Sequence, residues 1–335
     1  MKWQHVLGIT LLHFPLTLLS QEVIVNQSVI HSVFIEPGYR FSGSLSPILD
    51  HRPDAELAHQ YLITDYGYFG AGLKLKAGKG VDITLAGQSH SIKATDRYLI
   101  SFMDPLEYEV PFDQLSGYLF VGYTFKQHWR IFAGASLLSA IKPVMVWQEL
   151  PLGGEFVAVP TPYKDWLLTG GLALEFDRIH IQASAGGAKY QSSPAYQADL
   201  QVAGFPFASM NTRIEGNVTW LADSLDPNGR WIAGMEIGQK LLKNLWAEAG
   251  FRYGHMQNYY ESYGHSVYNL YDPARSKLKL GLIIKELTKN LGLSITYEYS
   301  SRISAWDLYE YGEIKSREAM DYKYHSLTAG ITWRF

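Results

Sequence analysis

Histidine stands next to serine four times in this chain, at His31-Ser32, His90-Ser91, His265-Ser266 and His325-Ser326. A histidine within reach of a serine hydroxyl is the start of nucleophilic catalysis, because the imidazole takes the hydroxyl proton as attack begins. Neighbouring residues of a strand point to opposite faces, so none of these pairs makes a dyad within an extended segment. A dyad assembled between strands stays open at the level of sequence. Asp50, His51, Asp54, Glu56 and His59 place oxygen and nitrogen donors in one short run, suited by type to a divalent ion. A metal site also needs fixed geometry and partners around its ligands, and a solvated polar loop is the plainer account. No catalytic residue, cofactor or metal site is assigned on these grounds.

The remaining charges show more pattern. Glu36 and Arg40, Lys74 and Lys76, Glu248 and Arg252, Lys277 and Lys279, and Glu298 and Arg302 are spaced by two or four residues. That spacing puts each pair on one face of a strand. Apolar residues occupy the alternate positions. Leu278, Leu280, Leu282 and Ile284 oppose Arg275, Lys277, Lys279, Gly281 and Lys285; Leu293, Ile295, Tyr297 and Tyr299 oppose Ser294, Thr296, Glu298, Ser300 and Arg302. Leu245–Gly254, Leu115–Lys126 and Trp166–Phe176 alternate in the same way. The elements that must position these charges are therefore strands, apolar on one face and polar on the other.

Composition narrows the setting. Lys and Arg total 29 against 32 Asp and Glu, so the basic footprint of a nucleic-acid binder is missing. There is no Cys, which excludes disulfides and cysteine-based metal chemistry. Residues 1–20 read as a secretory leader: Lys2 and His5 precede an apolar core from Val6 to Leu19, and Ser20 precedes the expected mature terminus, Gln21. No Cys marks a lipoprotein junction. Beyond residue 20 no run reaches the ~20 apolar residues of a spanning helix. A membrane-embedded mature chain, residues 21–335, must then be a barrel, since only helices and closed barrels satisfy the backbone in lipid.

The last strand sharpens this. Leu327, Ala329, Ile331, Trp333 and Phe335 share one face, and Ser326, Thr328, Gly330, Thr332 and Arg334 share the other. An alternating strand that ends the chain on an aromatic residue resembles the closing strand of Gram-negative outer-membrane β-barrels. The resemblance covers residues 28–335, and leader and loop style resemble barrels of Bacteroidota-type bacteria. It implies residence in the bacterial outer membrane, a surround of outer-membrane lipid, and recognition of Phe335 by the barrel-assembly machinery. Links near 76–80, 126–129, 176–179, 240–244 and 286–290 are short, and they alternate with long ones near 45–60, 97–113, 141–163, 191–229, 257–272 and 304–321. Short periplasmic turns and long extracellular loops mark an outer-membrane barrel, so the expected fold is all-β, one antiparallel transmembrane barrel of about twelve strands. Strand-like stretches at Asp199–Val202 and Arg213–Trp220 would raise the count to about fourteen if they span. Tyr123, Trp129, Trp166, Tyr190, Tyr297, Tyr299 and Trp333 fall where strands end, as interfacial girdles require.

In such a barrel the charged face is the lumen. Glu236, Glu248, Arg252, Lys277, Lys279, Glu298 and Arg302 are expected as a mixed-sign wall. Rings of charge set selectivity in a water-filled channel, whereas in a narrow barrel the same charges become ion pairs that fill it. Outer-membrane phospholipases and lipid A deacylases carry a His-x-Ser pair, which is absent here, as is an omptin-like acidic constellation; the chain is not expected to be an enzyme. The leading expectation is a porin passing small solutes, then an accessory barrel of a secretion or surface complex, then a lipid-modifying enzyme. Tyr259, Tyr260, Tyr263, Tyr268 and Tyr271 crowd one loop, and Trp306, Tyr309 and Tyr311 another; they are expected to pack the loops over the barrel mouth.

Overall fold

A computed structural model describes residues 30–42, 53, 57–78, 80–100, 106–126, 128–150, 153–190, 193–207, 210–224, 226–262, 265–268, 273–310 and 313–335. The leader at 1–20 and the donors Asp50, His51, Asp54 and Glu56 lie outside the described residues. Among the described residues every element in the chain order is a strand. In chain order these are β1 (Ile30–Ser42), β2 (Leu57–Ala77), β3 (Val81–Ile100), β4 (Leu106–Glu109), β5 (Phe112–Phe125) and β6 (Trp129–Leu150). Then come β7 (Gly153–Glu175), β8 (Ile179–Tyr190), β9 (Ser193–Gly204), β10 (Thr212–Asp223), β11 (Arg230–Lys240) and β12 (Leu245–Met256). The last five are β13 (Tyr259–Glu261), β14 (Ser266–Tyr268), β15 (Ala274–Ile284), β16 (Leu291–Glu310) and β17 (Glu313–Arg334).

Each barrel strand pairs antiparallel with its neighbours, and β1 pairs with β17 from Ser32↔Arg334 to Ser42↔Tyr324, which closes the sheet. With β4 counted together with β5, since both pair along β3, and with the separate β13–β14 pair left out, the closed barrel has 14 strands. β9 and β10 both pair along their length, so the stretches at 199–202 and 213–220 belong to full barrel strands. Links at 78–80, 126–128, 176–178, 205–211, 241–244 and 285–290 lie at the end that carries both termini.

Two of the expected long loops are not loops. β6 and β7 run for 22 and 23 residues and are joined through 151–152, so 141–163 is the upper part of a hairpin. A strand needs only ~9–11 residues to span. Pro143 lies opposite Pro160 and Pro162 opposite Ile141; proline lacks the ladder donor and reads as a breaker in sequence, which hid the strand. Likewise 304–321 continues β16 and β17. There Asp307 pairs with Arg317 at 2.6 Å and Lys315 with Glu310, so charge on both strands takes the place of a lipid face. The start of β2 also pairs with β16, from Leu57↔Tyr309 to Gln60↔Trp306. The β16–β17 hairpin thus meets the upper ends of β2 and β3 at one side of the mouth, where Trp306, Arg97, Gln60 and Ser304 are buried.

The outer face is apolar: Leu137, Leu168, Leu200, Met235, Phe251, Leu280, Ile295 and Leu327 are exposed, each from a different strand. Leu278, Leu282 and Ile331 join them, with Leu293 half-buried opposite Ile331. Tyr123, Trp129, Trp166 and Trp333 are exposed as a girdle requires. Tyr190 is not; it is 2% exposed and points inward, because the alternation places it with Ala188 on the inner face of β8. Arg275 also departs from its expected face. A bulge between Ala274 and Ser276 shifts the register, and Arg275 pairs outside with exposed Asp321 at 3.2 Å. With Leu280 facing lipid, Leu280→Arg should destabilise the folded barrel by about 2–4 kcal/mol, measured by reversible urea unfolding in lipid vesicles.

Candidate functional site

The connection from β12 to β15 does not stand above the mouth. It turns into the lumen as the small hairpin β13–β14, with Tyr259↔Tyr268, Tyr260↔Val267 and Glu261↔Ser266 as partners. The inward turn begins at a register shift after Tyr253, where Gly254 has φ 140°. A Cβ there would lie 2.7 Å from the Trp231 carbonyl oxygen, so only glycine fits. Asn258 follows with φ 54°, a left-handed conformation that asparagine tolerates.

Four sets of contacts hold the hairpin. At its base Arg230 binds Asp223 through both carboxylate oxygens (3.1 and 2.9 Å) and donates to the carbonyls of His255 (2.9 Å) and Gln257 (2.7 Å). Asn258 donates to the same aspartate. In the middle, the Gln197 amide donates to the Tyr260 carbonyl (2.9 Å) and accepts from the Tyr260 N–H (3.1 Å). It pairs with Tyr260 as a neighbouring strand would. Tyr259 and Tyr260 are adjacent in a strand, so their rings diverge. Tyr259 enters the group Leu221, Ile232, Met256 and Ala274, and Tyr260 the group Leu167, Ala188, Tyr190 and Ala195. Tyr260 sits over Gly186, where any Cβ would overlap its hydroxyl. At the tip, Tyr118 donates to the Ser262 carbonyl (3.3 Å), and His265 lies 3.3 Å from the Gln88 amide between the rings of Phe34 and Tyr118. The hairpin therefore leaves the wall between β12 and β15 and reaches β1, β3 and β5 opposite.

Glu261 joins the hairpin to the charged wall. It pairs with Arg252 and, at 3.3 Å, with Lys277; Lys277 also meets Glu298 at 3.0 Å. Lys279 pairs instead with Glu236 (3.2 Å) and Glu248 (3.5 Å), nearer the turn end. Arg302 lies over the Tyr324 ring and donates to Ser300 Oγ (3.4 Å). The seven charges thus divide into a lower group around Lys279, an upper group around Lys277, and Arg302 above both. Glu261 was beyond sequence reasoning, since nothing in a polar, tyrosine-rich loop says that it folds inward.

The adjacent His–Ser pairs form no dyad, but one arises between strands. Ser116 Oγ of β5 lies 3.5 Å from His90 Nε2 of β3, and Tyr66 holds the other ring nitrogen. The space beside Ser116 is a cavity of about 20 Å³, room for one water and no acyl substrate. His59, from the would-be metal cluster, pairs with Asp96. Between the hairpin tip and the turn end lies a larger cavity of about 420 Å³, whose lining includes Glu36, Lys74, Lys76, Asp82, Arg130, Phe34, Phe120 and Tyr118.

No protein-family model matches the sequence, and no curated relative matches it either. Solved structures share the fold. The P. putida toluene transporter TodX superposes with a TM-score of 0.57 at 8% identity, over 92% of this chain and 90% of its own. A Pseudomonas aeruginosa FadL homologue gives 0.55 at 9% identity, over 92% and 90%. The monoaromatic hydrocarbon channel CymD gives 0.54 at 8%, over 92% and 89%. The chain shares the fold of outer-membrane β-barrels, with an apolar band around its outer face.

Two outcomes test the tether. Gln197→Ala leaves the Tyr260 backbone pair unmet, at a cost of roughly 1–3 kcal/mol; hydrogen exchange should quicken at 259–268 and stay unchanged in the wall strands. His265 lies on the inward loop, outside every spanning strand, and burial, then the Lys74 ammonium, holds it below the ordinary histidine value of 6.5. The docked tip binds fewer protons than a released one, so docking is full above 6.5 and weakens as pH falls below it. Hairpin protection factors, which correct exchange rates for the intrinsic pH dependence of amide exchange, should fall on acidification in the native protein and stay level in His265→Gln.

Proposed function

We propose that this protein is an outer-membrane channel for small solutes whose lumen is gated by the β13–β14 hairpin. One observation carries the reading. A charge-lined cavity stands on one side of a hairpin that is tethered across the lumen by hydrogen bonds and ion pairs. A barrel built only as a scaffold has no need of such a cavity. Fourteen strands also fall between small filled barrels and the wide porins of about 16–18 strands, so an inward loop is enough to close the path. The structures that share the fold include ones named as a toluene transporter and a hydrocarbon channel, which is support from analogy of fold.

In this reading the turn end faces the periplasm and the tall hairpins face outward. Phe335, exposed at the turn end, offers its ring to the barrel-assembly machinery. The wall of Glu236, Glu248, Arg252, Lys277, Lys279, Glu298 and Arg302 shapes the field in the lumen, and Glu261 ties the gate to it.

Planar-bilayer recording tests the channel. Replacing 259–268 by a short Gly–Ser link should raise unitary conductance severalfold, and Lys277→Glu with Lys279→Glu should shift the reversal potential towards cations. Silence from both the native and the hairpin-deleted protein would instead identify a closed accessory barrel.

A further inference from the structure

The charges that line the 420 Å³ cavity are not all matched. Arg130 is held by Asp82 (3.2 Å) and Glu175 (3.5 Å). Lys74 and Lys76 have no ion-pair partner among the described residues, nor has Glu36 on β1, the strand paired with β2. The two lysines are exposed to the cavity and lie two residues apart on β2, so they share a face and repel one another. Phe34 packs beside Lys74, whose ammonium is 5.8 Å from the ring centroid. Phe120 and Tyr118 supply further aromatic surface from β5. The hairpin tip, through Ser262 and His265, forms the ceiling. The volume is that of a small-molecule site, with the charged groups and the rings of Phe34, Tyr118 and Phe120 lining the same space.

Resting on the channel reading, we propose that this cavity is a solute-binding vestibule for small aromatic carboxylates. The carboxylate lies between the ammonium groups of Lys74 and Lys76 and relieves their repulsion, while the ring packs against Phe34 and Phe120. Glu36 sits on the same cavity and disfavours dianions, because a second negative charge would meet its carboxylate. A ligand seated there touches the tip of the gate, so binding and gating share His265 and Ser262.

Equilibrium dialysis of the purified full-length protein in detergent, with labelled benzoate, tests this. Binding should be saturable, with acetate and benzyl alcohol at least ~10-fold weaker as competitors. Lys74→Gln with Lys76→Gln should weaken benzoate ~10-fold or more, and Glu36→Gln should strengthen it, since it removes the opposing charge. Heat-modifiable migration on gels checks that each variant remains a folded barrel. Benzyl alcohol competing as well as benzoate would show that charge is not read, and acetate competing as well would show that the ring is not. Either result, or no saturable binding, overturns the proposal. So does unchanged affinity in both the double lysine variant and Glu36→Gln. The channel reading fails separately: benzoate binding without conductance from the hairpin-deleted protein would leave a binding barrel that is no channel, and conductance without binding would leave a channel with another solute.

Discussion

Lipid offers no hydrogen bonds, so every backbone donor and acceptor of a spanning strand must find its partner in protein. The pairing of β1 with β17 meets that demand by closing the sheet, and the rest of the molecule follows from it. Closure leaves one face toward hydrocarbon and the other toward an enclosed space, which turns a period of two along the chain into an outside and an inside. It also sets the width: fourteen strands enclose more than their own inward side chains fill. The β12–β15 connection occupies the remainder.

That connection is held by two kinds of contact with different consequences. Tyr259 and Tyr260 bury rings in adjoining stretches of the wall, β10–β15 and β7–β9, and supply most of the apolar gain. The Gln197 pair, the Arg230–Asp223 base and the Glu261 ion pairs supply direction. Gln197 and Asp223 are as buried as the two rings, so neither kind of contact is given up to water cheaply. The charge distribution follows the same division. Above the tip the cations Arg252 and Lys277 are matched to Glu261 and Glu298; below it Lys74 and Lys76 face open volume.

Much of this was legible beforehand, for a physical reason. A one-residue slip would exchange every lipid-facing side chain with a lumen-facing one, so Leu278 and Leu280 against Lys277 and Lys279 leave a single choice of face. Signals failed where local chemistry imitates something else. Pro143 and Pro160 imitate a loop but face each other across a hairpin. Arg275 keeps the alternation in sequence, yet a bulge turns it outward to Asp321. Tyr190 reads as a girdle residue and is instead the floor on which Tyr260 packs.

The chain by itself determined the barrel and, where no bulge intervenes as it does at Arg275, which residues share each strand face, because these depend on the parity of each residue along its own strand. It determined neither which charges meet nor where the lumen is blocked. Lys277 and Lys279 are neighbours in sequence pattern, yet one reaches Glu261 and Glu298 and the other Glu236 and Glu248. Ser116 and His90 come together only through the register of β3 against β5. The hairpin's path is set by Gln197, Gly186 and Tyr118, which lie on three different strands far from it in the chain. Contacts between distant segments exist only after closure has fixed a diameter, and for that reason the tertiary structure alone decides the gate.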